Sequence, residues 1–243
     1  SLAPLRGVKA SLKLETRSTG GQIHGFAPDV VQADTQRVFV AAGHAGLFLL
    51  ETNTYNITSH VLAGDAWSVS LCGDVVVVGT HSSKTESAGL KAYDANSLRQ
   101  LWTEPMPGDI WATACNQESN QLEVASASYT LIVGGWCFGL RAYTISRYGA
   151  KIIDQWTDDA RPLFARDALL SPQGVAVVSS NFHGVQAFQV SAERIEPIWS
   201  IRPGGTATGL SVVPNGTMSA VVASFCSLGP QFQVFGGCGA PRS

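Results

Sequence analysis

Charge is scarce in this chain. Only 14% of its 243 residues are Asp, Glu, Lys or Arg, against about 25% in an average soluble domain. Sixteen basic residues meet eighteen acidic ones, for a net charge of −2. That balance excludes a basic face that would hold nucleic acid by its phosphates. No uninterrupted apolar run approaches the roughly 20 residues of a membrane-spanning helix, and no stretch shows a helical period. The Gly-x-Ser-x-Gly elbow of serine hydrolases and the glycine-rich phosphate loop are both missing. Five cysteines are present, Cys72, Cys115, Cys137, Cys226 and Cys238. None forms a C-x-x-C pair, which excludes a zinc knuckle or redox motif. Five is odd, so at least one thiol stays free or pairs between chains.

Apolar residues make up 45% of the chain and glycine contributes 25 positions. One pattern recurs five times: an apolar run, a polar or glycine-containing break, then glycine and an alternating run. The runs are Val38–Val40, Val75–Val78, Leu131–Val133, Val175–Val178 and Ala220–Val222. The anchor glycines are Gly46, Gly89, Gly139, Gly184 and Gly229, spaced by 43, 50, 45 and 45 residues. A period of about 40–50 residues is that of a four-stranded propeller blade. The Val-rich run reads as strand b and the glycine-led run as strand c. Trp67–Leu71, Trp111–Ala114 and Thr208–Val212 read as innermost strands a, and Trp102, Trp156 and Trp199 mark outer strands d packed between blades.

The expected fold is all-β: residues 1–243 form a single five-bladed β-propeller. The last repeat ends near Phe235 without a strand d, and Leu12–Thr16 offers a spare one. The N-terminal strand should therefore complete the last blade and close the ring, removing exposed sheet edges. Ser82–Ala88 and Gln117–Ser128 read as surface insertions.

The best copy of the repeat runs Gly64-Asp65-Ala66-Trp67-Ser68-Val69, Val75–Val78, then Gly89-Leu90-Lys91-Ala92-Tyr93-Asp94. It resembles the LVIVD and WD40-like families of β-propellers, although the Gly-His and Trp-Asp signature of true WD repeats is absent. The resemblance implies a propeller; families of this kind are mostly binding platforms, and some are enzymes.

In a propeller the b–c and d–a loops share one face, around the mouth of the channel. The b–c loops carry His44, His81, Trp136 with Cys137, His183 and Cys226. The d–a passages carry His24, Asp65, Asp109, Asp158, Asp159 and Arg161, strand a begins near Trp67, Trp111 and Phe164, and Asp29, Arg166 and Asp167 lie nearby in the same segments. Imidazoles of His44, His81 and His183 are the candidates for a metal site, no other cofactor being indicated. Alternatively they hold the turns. Trp67, Trp111, Phe164, Trp136 and Arg161 form the candidate ligand-binding set, because aromatic faces beside carboxylates suit a sugar ring, a cation or an aliphatic chain. The same aromatics would equally plug a narrow channel.

The leading expectation is therefore a binding propeller that takes a small molecule or a protein partner on the b–c/d–a face. The alternative is a small-molecule lyase, isomerase or hydrolase at the channel mouth. In it His24, His44, His81 and His183 would be acid/base groups or ligands, oriented by Asp65 and Asp109. A third is a subunit of a larger assembly, its apolar surface covered by neighbours. Cys72 and Cys115 occupy similar places in successive a strands. A disulfide there is geometrically conceivable, but buried free thiols are the preferred reading. The sequons Asn56-Ile57-Thr58 and Asn215-Gly216-Thr217 would be glycosylated only in a secreted protein, and no signal peptide is present, so secreted and intracellular settings both stand.

Overall fold

In the computed structural model, the described residues are 29–84, 86–116, 128–136, 138–158, 163–181, 183–201, 206–214 and 219–226. Among them every regular element is a β-strand. The first sheet holds β1 (Asp29–Gln32), β2 (Arg37–Ala41), β3 (Leu47–Glu51) and β4 (Ile57–Val61). The second holds β5 (Asp65–Cys72), β6 (Val75–His81), β7 (Gly89–Asp94) and β8 (Gln100–Pro105). The third holds β9 (Ile110–Cys115), β10 (Tyr129–Gly135), β11 (Gly139–Ser146) and β12 (Gly149–Trp156). The fourth holds β13 (Ala165–Leu170), β14 (Val175–Ser180), β15 (Gly184–Val190) and β16 (Ile195–Ile201). A two-stranded sheet follows, β17 (Thr206–Pro214) with β18 (Ser219–Cys226).

Each four-stranded sheet is an antiparallel meander in chain order. The first strands of successive sheets lie side by side, β1 by β5, β5 by β9, β9 by β13 and β13 by β17. This is a propeller-like arrangement with inner strands at the centre. The expected completion of the last blade by residues 12–16, and the anchor Gly229, lie outside the described residues.

Burial explains the residue choice. The second strands of the second and third sheets lie between two neighbouring sheets and carry continuous apolar runs rather than an alternation; β6 is buried along its whole length. The outer strands mix half-buried and exposed positions, with no fully buried residue in β8 or β12. Close approach between sheets needs a small residue at one equivalent position. A Cβ on Gly79 would meet Ile110 of the next inner strand, and one on Gly134 would meet Ala165. Those glycines let the inner strands nest.

Three kinds of link tie consecutive inner strands. Asp29 Oδ2 accepts from Val69 N at 3.0 Å, and Asp167 Oδ2 accepts from Leu210 N at 2.8 Å. Ser70 Oγ bonds Thr113 Oγ1 at 3.0 Å. Cys72 and Cys115 form a disulfide, with Cα atoms 5.6 Å apart. This corrects the preference for buried thiols: the nesting of β5 against β9 brings the two Cα atoms within bridging distance.

The outer-strand tryptophans lie in the expected strands, and two of the three pack on the following sheet, but they do not share one register. Trp102 stands opposite Ala92 and Trp199 opposite Ala187, but Asp154 holds that place opposite Ala142 in the third sheet. Trp102 Nε1 donates to Ser146 O, and Asp154 Oδ2 accepts from Ile195 N, each reaching the following sheet. Trp156, two residues further on, packs on Phe188 of the next sheet. Trp199 is 42% exposed.

Candidate functional site

The site begins with an irregularity repeated in four of the five described inner strands, β5, β9, β13 and β17. The ladder of β5 with β6 slips between Ala66 and Ser68, leaving Trp67 as an extra residue. The ladder of β9 with β10 slips between Gly134 and Gly135, across Trp111. That of β13 with β14 slips between Ala165 and Asp167, across Arg166, and that of β17 with β18 across Thr208. A bulge frees one residue from pairing and re-aims its side chain. Two residues before each bulge stand Asp65, Asp109 and Phe164, and opposite them on the second strand His81, Trp136 and Asn181.

Three equivalent positions in three consecutive sheets thus supply one cluster. Trp67 and His81 stack nearly parallel, 4.2 Å between centroids. Trp111 tilts against both, at 4.8 and 4.4 Å. Trp136 lies 6.4 Å from Trp111 and meets Phe164 edge-on at 4.3 Å. The Arg166 guanidinium sits 4.2 Å from the Trp111 centroid, and its Nε donates to Asn181 Oδ1 at 2.9 Å. The tryptophans, Phe164 and Arg166 are all half-buried, which leaves part of each facing solvent.

Two carboxylates flank the cluster. Asp109 Oδ1 accepts from both the backbone N and the Oγ of Ser82, each at 2.7 Å. Asp65 lies 3.5 Å from His44. His81 is 7% exposed, and its Nε2 and the Trp111 Nε1 are buried without a hydrogen-bond partner among the described residues. Burial pushes the His81 pKa below 6.5; Asp109 and Asp65 oppose that shift, and Arg166 adds to it. The imidazole is therefore neutral at pH 7. Burial also lowers the Arg166 pKa, yet a guanidinium stays charged.

Four of the five expected ligand-binding residues, Trp67, Trp111, Trp136 and Phe164, are brought together, with His81 from the acid/base set. Phe164 belongs with Asp65 and Asp109 in register; Arg166, not Phe164, takes the place of the two tryptophans. His24, Arg161, Asp159 and Cys137 lie outside the described residues. The three candidate metal-binding histidines do not meet. His44 is an 84% exposed side chain beside Asp65. His81 closes the end of β6 inside the aromatic cluster. His183 is fully buried, its Nδ1 3.8 Å from Asp158 Oδ2. Among the described residues no group of three or more His, Cys, Asp and Glu side chains is placed to hold a metal ion. Next to the cluster, an open cleft of about 720 Å³ runs between the first and second sheets, lined by His44, Leu62, Asp65, Ser82, Lys84 and Glu86. Asp65 belongs to both.

No protein-family model and no curated protein matches this sequence. The chain superposes on a solved structure, the complex of KlAtg21 with the coiled-coil of AgAtg16, with a TM-score of 0.61 and 11% sequence identity. The match covers 82% of this chain and 63% of that one, so this chain spans under two thirds of its length. At that identity the likeness supports the propeller-like architecture alone. No helix among the described residues is long and apolar enough to cross a membrane.

Proposed function

We propose that this chain is a binding propeller whose recognition surface is the cluster of Trp67, Trp111, Trp136, Phe164 and Arg166, extended by the neighbouring cleft. The observation that carries this reading is the recurrence of the bulge. Four ladders slip at the same position, and three of the released side chains meet. Plain packing asks only for apolar groups there. Instead, the cluster sets an arginine, two carboxylates and a buried neutral imidazole among half-open indole faces, the mixture that gives a pocket both grip and orientation. A ligand with a flat or aliphatic face would lie on the indoles and bond the rim at Asp65, Asp109 and Arg166. A protein side chain fits the same description. His81 is better suited to shape the site than to catalyse, because its Nε2 is closed to solvent.

The same reading extends the pattern to a fifth blade completed by residues 12–16. Its support is that the inner strands already follow one another in chain order, and that Trp199 stands exposed where Trp102 is covered by a following sheet.

The test is intact mass of protein isolated from its cells, first under native and then under denaturing conditions, for wild type and Trp111→Ala. Extra mass that denaturation removes, and that W111A lacks while keeping its thermal midpoint, is the expected result. A W111A protein that retains the extra mass but melts far lower makes the cluster a channel plug. A wild type with no extra mass leaves a protein partner as the ligand.

A further inference from the structure

We propose that Asn56 carries an N-linked glycan, attached in a eukaryotic-type secretory pathway, on the face opposite the aromatic cluster. Two independent observations point there. The first is the Cys72–Cys115 disulfide. Both residues are buried, and the bridge ties the inner strands of two blades. Stable structural disulfides form in oxidising compartments and are rare in the cytosol.

The second is the sequon itself. Asn56-Ile57-Thr58 begins β4, the outermost strand of the first sheet, just after an exposed turn over residues 52–55. Asn56 is exposed, and the hydrogen bonds described for it are backbone ones: its N–H donates to Thr54 Oγ1 at 3.2 Å and its carbonyl accepts from Glu51 N at 3.0 Å. Its side-chain amide is thus spared from the ladder. Tyr55, at φ 57°, and Ile57 flank it, 62% and 39% exposed. Two exposed apolar side chains beside one asparagine are a surface that the first sugar of a glycan would cover.

The turn is tied to the opposite end from the cluster. Thr52 N donates to Gln36 O at 2.7 Å, joining the β3–β4 turn to the β1–β2 turn. The cluster grows instead from the ends where β5 begins and β6 ends. A glycan at Asn56 therefore projects from the outer rim and leaves the recognition face clear.

The chemistry needs a donor, an oligosaccharide on a polyprenyl diphosphate. The Asn56 amide nitrogen bonds the anomeric carbon, the bond from that carbon to phosphate oxygen breaks, the amide gives up one proton, and the lipid diphosphate leaves. Transfer precedes folding, so the bond from Thr58 Oγ1 to Leu49 O at 3.1 Å in the folded chain does not obstruct it.

One tryptic peptide reports on both observations, since residues 38–84 contain no Lys or Arg before Lys84 and hold both Asn56 and Cys72. Protein isolated from the cells that make it is digested without reduction. The expected species is peptide 38–84 cross-linked to peptide 100–141 and bearing a hexosamine-based glycan, which peptide-N-glycosidase removes with deamidation at position 56. Asn56→Gln and Thr58→Ala abolish the glycan, whereas Thr58→Ser keeps it; a merely structural role of Thr58 would not produce that pattern. An unmodified Asn56 overturns the proposal, whether or not the disulfide is present. Free thiols at Cys72 and Cys115 together with a bare Asn56 also overturn the compartment reading behind it.

Discussion

The guanidinium of Arg166 rests 4.2 Å from the centre of the Trp111 ring, one inner strand away. Such a pair, partly desolvated, contributes about 1–2 kcal/mol. Arg166→Met keeps the apolar stem and removes the charge. It should cost about that much stability in urea unfolding. It should also raise the His81 pKa toward 6.5. Burial is the main reason that pKa is low, and the nearby positive charge adds to it while Asp109 and Asp65 pull the other way. An NMR titration of the His81 ring proton in both proteins checks this, and an unmoved midpoint means that the guanidinium does not act on the imidazole.

Stability should fall with acid in two separate steps. His81 has a folded pKa below its ordinary 6.5, so the unfolded chain takes up a proton there before the folded one does. Its penalty is absent above about 6.5 and grows as pH drops below that value. Asp94 is held well below its ordinary 3.8, first by the Ser97 N–H and also by Arg147, which bridges it to Asp74. Its contribution is complete above about 3.8 and is lost as pH falls further. Thermal midpoints across pH 3–8 should show the upper step and the onset of the lower one. His81→Phe should remove the upper one, and Arg147→Gln should shrink but not abolish the lower one, because the Ser97 bond remains.

Loss of the Cys72–Cys115 bridge should be expensive. It closes a loop of 43 residues, for which the chain-entropy account gives about 4 kcal/mol. Thermal unfolding with and without reductant, and of the Cys72→Ala/Cys115→Ala double variant, measures it. A double variant that melts with wild type means that the denatured chain gains nothing from losing the link.

How far the sequence reveals these features depends on whether a feature follows the period of the chain. The glycine-anchored repeats do, so four four-stranded sheets and their second-strand runs were legible. The gathering of Trp67, Trp111, Trp136 and Phe164 was legible too, as loops that share one face. Arg166 was legible only as a residue near that face; its place among the tryptophans was not, because a bulge breaks the two-residue period on which strand reading rests. One signal was available: Ala66, Ala165 and Ala207 each precede the bulged residue, and aligning on them sets Arg166 beside Trp67. The latches from Asp29 and Asp167 to the next strand stayed hidden for another reason. They join side chain to backbone some forty residues on, and no local pattern marks the partner.

The bulge also separates two demands that usually compete at one residue. A side chain in a regular ladder has to fit its cross-strand neighbours, so changing it disturbs the sheet. The extra residue at each slip is left out of that pairing register, and it is Trp in two sheets, Arg in a third and Thr in a fourth. Each of the four slipped ladders therefore holds one position whose residue type the register of the sheet does not dictate, and the identity of that residue changes from sheet to sheet.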